Sequence, residues 1–354
     1  MSDADTILTS ARERTTPIAS VVTPRLIFIS AGIVVLLAFP LVARPFALDI
    51  ACQVFLAAIG ALSLALLTGI AGQVSLGHAG LLAAGAFSVG ILYHELAAPY
   101  WVTIPVAAMT GAVFGLVFGL PSLRLRGLYL AVSTLALHFV VVYIGGEYET
   151  LRSYSAGVVV DPPEAFGYTL QDSKSWYLVL LAAAAVAYWL CHNLLYSGTG
   201  RAWGALRSNE TVAEALGIPV ARYKLLAFVI SSSMTAVAGA LFAYYRGFVS
   251  IEAFSLYLSI QYIAMIIIGG MGSLLGALLG ATFVVLMPYA IEAAALKIPN
   301  ANQYIGSVFA LIYASFGVVM IAFLMFEPHG LIGLLRRLIS WRRRSTLQSR
   351  STKP

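Results

Sequence analysis

Apolar runs approaching twenty residues recur along the chain, at about 26–43, 47–70, 77–96, 101–120, 127–146, 176–196, 224–245, 253–270, 274–295 and 304–326. At 1.5 Å per residue, a run of this length lets an α-helix cross a hydrocarbon core of about 30 Å. Lipid cannot hydrogen-bond the backbone, so a spanning chain is either helical or a closed barrel, and continuous runs lack the short alternation of barrel strands. The expected fold is all-α, a polytopic membrane protein of about ten transmembrane helices. Composition agrees. Charged residues make up 10% of the 354, well below the roughly 25% of soluble domains, and hydrophobic ones 60%. Soluble enzymes, nucleic-acid-binding modules and disulfide scaffolds are excluded, the last because the chain holds only Cys52 and Cys191, which the topology places at opposite faces.

Charge gives the orientation. Residues 1–25 are polar and show no cleavage site after a short apolar core, so an inside N-terminus is expected. Ten crossings then put the C-terminus inside as well. On this assignment the inside segments carry sixteen of the twenty-one basic residues, among them Arg124, Arg126, Arg201, Arg207, Arg222 and Lys224. Arg44, Arg152, Lys174, Arg246 and Lys297 fall outside. The net charge of +6 divides into +10 inside and −4 outside, a strong positive-inside bias. The expected organisation is a cytoplasmic tail over 1–25, a transmembrane domain over 26–335 and a basic cytoplasmic tail over 336–354, where arginines around Trp341 suit anionic lipid headgroups. Within the domain, the longest outer loop spans about 147–175. It carries Glu147, Glu149, Asp161, Glu164 and Asp172 with four aromatic residues, and reads as a docking face. The longest inside loop, about 197–223, holds a helical pattern from Arg201 to Leu216 that stops at Gly217 with Pro219 beyond.

Glycine recurs every fourth residue at Gly111, Gly115 and Gly119, and again at Gly272, Gly276 and Gly280. In lipid that spacing predicts close helix–helix packing. The stretch from Thr68 through Gly69, Gly72, Gln73, Ser75 and His78 to Gly80 is Gly-rich and polar between two apolar spans. Two readings stay open. It is a broken or re-entrant helix lining a solute path through Gln73, Ser75 and His78, or a tight cytoplasmic turn between two antiparallel helices in which His78 caps a helix. His138 is a lone ionisable group in the fifth run, expected to be a hydrogen-bonded packing residue. The acidic residues Asp49, Glu95, Glu252 and Glu292 sit at outer span ends. No phosphate-binding loop, metal-spaced cysteine pair or nucleophile elbow occurs, so no catalytic residue, metal or cofactor is expected. An intramembrane enzyme would need His, Asp or Glu clustered at one depth, and a channel would have no use for the inside helix.

Five blocks, in order, carry a specific resemblance: Gly69 to Ala79, Leu123 to Ala131, Gly200–Arg201 to Ile218 with Tyr223 to Phe228, Gly269 to Ser273, and Phe326 to Leu331. Together they resemble the M-type permease subunit of bacterial branched-chain amino acid ABC importers. The resemblance implies a transport subunit without enzymatic activity of its own, in the bacterial inner membrane. It implies as partners a second homologous permease, two cytoplasmic ATPase subunits and an extracytoplasmic solute-binding protein, with lipid around them and no nucleic acid. It also implies that the inside loop is a coupling segment engaging the ATPase through Arg201, Glu210, Glu214, Ala215 and Gly217. Importers of urea, short amides or other amino acids share much of the pattern.

Overall fold

The computed structural model describes residues 32, 34–152, 154, 157–165, 168–295, 305–327, 330–335 and 337. The expected tails, 1–25 and 336–354, lie outside these apart from Arg337, as do residues 26–31 and 33 of the run at 26–43. The chain divides into two compact units, residues 1–48 and 49–354. In the first, residues 34–42 are helical.

The rest is a bundle of helices. α1 (Pro45–Leu64) runs on into a π-helical turn, Ala65–Ile70. It is followed by α2 (His78–Leu96), α3 (Tyr100–Gly119), α4 (Leu128–Leu151), α5 (Ser173–Tyr196), α6 (Gly198–Ser208), α7 (Glu210–Ala215), α8 (Val220–Arg246), α9 (Leu256–Gly269), α10 (Leu274–Ala295) and α11 (Ile305–Phe326). Among the described residues, seven helices are long and apolar enough to cross a membrane: α1 with its π-turn, α2, α3, α4, α5, α8 and α10. α9 and the apolar stretch Ala314–Phe323 of α11 are shorter.

The α9 segment departs from a full-length span. Its 14 residues reach about 21 Å, short of a ~30 Å core, and a 3-10 turn over Ile251–Phe254 precedes it. It still runs from one end of the bundle to the other. Its start follows strand β4 (Phe248–Val249), which pairs antiparallel with β1 (Val158–Val159) of the outer loop, and its end meets Arg207 of the inside loop across Gly272. A second strand pair, β2 (Glu164–Ala165) with β3 (Tyr168–Thr169), folds the outer loop on itself.

α8 is the axis. Its 27 residues extend about 40 Å, and α2 and α3 pack along it most extensively. The contact is made by small residues. A Cβ added at Gly85 of α2 would strike the Ala236 carbonyl, and one at Gly239 of α8 would strike the Leu82 carbonyl, so only glycine lets these backbones meet. On the other side Gly111, Gly115 and Gly119 face Ser232, Ala236 and Phe228 of the same helix. A polar seam accompanies the glycines. Ser63 and Thr235 hydroxyls share a hydrogen bond at 2.8 Å, Ser231 Oγ donates to the Ser63 carbonyl at 2.7 Å, and Thr103 and Tyr244 hydroxyls meet at 2.6 Å. Hydrogen bonds between helices in membranes are worth only about 0.6 kcal/mol on average, so the seam fixes register while backbone approach provides the adhesion.

The second glycine series divides. Gly276 and Gly280 lie in α10 against Gly269, Gly270 and Met265 of α9, whereas Gly272 sits in the turn before α10 with φ +89° and faces Gly69 and Arg207. Gly272 is therefore not a helix-packing position. Gly270, at φ +117°, caps α9, and Gly272 continues the reversal into α10, both in conformations glycine adopts without a Cβ penalty.

Candidate coupling site and solute path

The inside loop folds as two helices, in place of the single one expected over Arg201–Leu216. Ser-Asn at 208–209 is the cause. Asn209 turns extended (φ −163°, ψ 113°), and its Oδ1 accepts from the Thr211 and Val212 amides at 3.0 and 3.2 Å, which caps a new helix in place of continuing the old one. α6 is anchored by Trp203, fully buried, whose Nε1 donates to the Tyr223 carbonyl at 2.9 Å. α7 closes as expected at Gly217. There φ is +81°, the Gly217 amide bonds the Glu214 carbonyl and the Ile218 amide reaches back to the Ala213 carbonyl, a Schellman end.

Side chains on this loop sort into two sets. Ala213 faces inward, while Thr211, Val212, Glu214, Ala215, Leu216 and Gly217 are exposed, as is Arg201. Val212 and Leu216 are 54% and 74% exposed, an unusual display of apolar surface on a segment outside the spans. Glu210 is half-buried and paired. Its carboxylate meets Lys224 Nζ at 2.7 Å and Arg126 Nε at 2.8 Å, and Lys224, 4% exposed, also donates to the Ser122 carbonyl at 3.1 Å. The distant Lys224 holds Glu210 against the α3–α4 connection and the start of α8.

α2 starts at His78, with Gly77 as its N-cap and no side-chain cap bond, and the stretch 69–78 is irregular over 71–77. Its backbone is satisfied by side chains from three elements. The Leu76 amide donates to Thr134 Oγ1 at 3.0 Å, the Ala79 amide to Ser259 Oγ at 2.9 Å, and Thr68 Oγ1 to the Gln73 carbonyl at 3.0 Å. Arg207 donates to the Gly69 carbonyl. Gln73, Ser75 and His78 are buried, at 5%, 1% and 1%, while Val74 is 39% exposed. The His78 ring lies 4.6 Å from that of Tyr262, and Gln73 Oε1 and His78 Nε2 are buried without a hydrogen-bond partner among the described residues. His138 Nδ1 is likewise unpartnered. The ring packs on Gly80, so its expected hydrogen bond is replaced by a close α2–α4 approach.

All five sequence blocks converge on this end of the bundle. Glu210 joins the second and third, Arg207 joins the third to the first at Gly69 and lies against the fourth at Gly272, and Gly330 of the fifth abuts Gly270. A family model for the permease component of the branched-chain amino acid transport system matches residues 46–325. The chain belongs to that family. It is an integral membrane transport subunit rather than an enzyme. Among similar proteins, the high-affinity branched-chain amino acid transport permease LivM of Salmonella typhimurium is 30% identical over 334 residues, 88% of this chain and 75% of the relative. The LivM protein of Escherichia coli matches to the same extent. The autoinducer 2 import permease LsrC of Enterobacter is 31% identical over 193 residues, 51% of each chain.

At the other end of the permease, the loop expected over 147–175 is shorter because α4 continues to Leu151 and takes Glu147 and Glu149 with it. Glu149 Oε1 accepts the Ile251 amide at 2.9 Å, so it braces the turn before α9, while Glu147, Asp161, Glu164 and Asp172 remain exposed. Sequence reasoning missed Arg207, Lys224, Thr134, Ser259 and Tyr262 as parts of these sites. The one available signal was Lys224, a charge at the very start of an apolar span.

Proposed function

We propose that this permease is the transmembrane subunit of an ATP-driven importer for branched-chain amino acids, working beside a second homologous permease, two cytoplasmic ATPase subunits and a solute-binding protein. The observation that supports this most directly is α7: a short capped helix, braced from behind by Trp203 and Glu210, that presents Val212, Glu214, Ala215, Leu216 and Gly217 to solvent. A rigid helix end with exposed apolar side chains suits insertion into a groove on an ATPase. Both termini lie in the cytoplasm on this reading, the 1–25 and 336–354 tails flank a single transmembrane domain, and the exposed acids Glu147 and Glu164 meet the binding protein.

Reconstituted with its partners in proteoliposomes, the complex takes up leucine only with ATP inside and binding protein outside. Val212→Asp with Leu216→Asp removes two apolar side chains worth about 1.5 kcal/mol or more each, so ATPase co-purification falls roughly tenfold or further. Normal stoichiometry in that variant removes the assignment. Charge reversal of Glu147 and Glu164 together weakens stimulation by binding protein, most clearly at low salt, and equal stimulation across a salt series rejects the docking face.

The solute path passes Gln73, Ser75 and His78, a reading supported by the two unpartnered buried polar atoms beside an irregular backbone. Cysteines at these positions, in a Cys52→Ser, Cys191→Ala background, react with a water-soluble maleimide during turnover and are protected by leucine. Labelling of Val74→Cys alone would make 71–77 a packed turn.

A further inference from the structure

Arg207 stands where three irregular elements meet. It lies in the last turn of α6, two residues before the extended Asn209 from which α7 starts. Its guanidinium donates to the Gly69 carbonyl at the π-helical end of α1. The glycines around it leave room for it. A Cβ at Gly72 would come 3.0 Å from Arg207 Cγ, and one at Gly272 would come 2.8 Å from Nη1. Gly69 and Gly272 are themselves in contact, since a Cβ at Gly69 would lie 2.9 Å from the Gly272 amide nitrogen. A cleft of about 430 Å³ opens beside the group, lined by Ile70, Gly204, Arg207 and Gly272, so one side of the arginine is free to move.

We propose that Arg207 is the positioning residue that transmits displacement of the α6–α7 loop into the paired breaks at 69–72 and 269–272. This rests on the reading of α7 as the coupling helix and adds to it the route by which its motion reaches the spans. The argument is mechanical. Trp203 fixes the α6 backbone to the start of α8, so Arg207 moves as α6 moves. The two breaks are where the bundle can rearrange cheaply: a π-turn, which already lacks regular i to i−4 bonding, and glycines at φ +72° and +89°. A planar guanidinium with donors on both nitrogens can hold a backbone carbonyl through a small rotation, which neither a lysine nor a neutral side chain does as well. Joined at one side chain, the breaks on α1 and α9–α10 would move together, and the segment between Gly72 and His78 with them.

The test uses the complex purified on the tagged permease from its native membrane and reconstituted in proteoliposomes, with Arg207→Gln, Arg207→Lys and wild type. A fluorescent maleimide reports on Thr211→Cys in α7 and on Val74→Cys beside the break, each in the Cys52→Ser, Cys191→Ala background, with and without ATP and orthovanadate. In wild type, labelling of both sites changes with trapped nucleotide. In Arg207→Gln the change at 211 persists, the change at 74 disappears, and leucine uptake per ATP hydrolysed falls about tenfold while subunit stoichiometry holds. Arg207→Lys lies between. Two outcomes overturn the transmission role alone: an unaltered change at 74 in Arg207→Gln, or a wild-type response at 211 with none at 74. Loss of the ATPase from Arg207→Gln also overturns it, by making the residue part of docking. No response at 211 in wild type overturns the coupling reading itself.

Discussion

Gly85→Ala is expected to remove most of the folded permease from the membrane. The added methyl would occupy the space of the Ala236 carbonyl, on the central helix, and the partner position Gly239 is blocked in the same way by the Leu82 carbonyl. Neither obstacle is a side chain that can rotate away, so α2 and α8 must separate along their shared face. Overpacking a well-packed core costs about 1–3 kcal/mol and more where backbone must shift, a large share of the roughly 5–15 kcal/mol that stabilises a folded domain. Gly317→Ala is the control, because nothing lies within 4 Å of a Cβ there. Size-exclusion profiles of fluorescently tagged variants in mild detergent, with thermal midpoints, compare the two. A monodisperse Gly85→Ala protein with a midpoint within about 2 °C of wild type would show that the interface is looser than its geometry implies.

Glu210→Ala is expected to be more damaging than Lys224→Met, although the two remove partners of one ion pair. Lys224 is almost fully buried, and without Glu210 its ammonium keeps only the Ser122 carbonyl, a loss of the order of 3–5 kcal/mol for a buried charge left unpaired. Removing Lys224 instead leaves Glu210 beside Arg126, at the surface, where water shares the load. Glu210→Gln combined with Lys224→Met abolishes both charges, and its thermal midpoint returns most of the way to wild type. Equal midpoints for the two single variants would place the energy in the Arg126 contact or nowhere. The variants also separate stability from coupling, since Glu210 lies behind the exposed face of α7 and its loss lowers ATPase binding only through disorder of that helix.

Spans such as α1, α2, α3 and α10 were legible to within a few residues because lipid imposes one requirement on every position, an apolar side chain. Where water or protein takes over, local rules compete. The run from Arg201 to Leu216 has helical periodicity throughout, yet Asn209 caps and splits it, a preference of about 1 kcal/mol that periodicity does not weigh. The end of α4 was hidden for the converse reason: Glu147 to Leu151 are polar enough to read as loop, and the Glu149 bond to Ile251, a hundred residues away, helps hold the turn against them. Gly272 shared its spacing with Gly276 and Gly280 but not its backbone conformation. For the candidate site the block Gly69 to Ala79 stood out by its glycines and polar residues. Its satisfaction by Thr134, Ser259 and Arg207, and the pairing of Glu210 with Lys224, depend on tertiary approach and leave no mark on sequence spacing.

The seam between α1 and α8 has a consequence for biosynthesis. Ser63 and Thr235 are separated by 172 positions, so at roughly 5–20 residues per second the ribosome needs about 10–30 s after making the first hydroxyl before it delivers the second. During that interval the glycine faces of α2 and α3 also wait, since α8 is their common support. A nascent chain with five long apolar helices, α1 to α5, made before their axis is the species that membrane quality control meets. Mutations that slow the arrival of α8 should therefore lower yield even where the finished bundle would tolerate them.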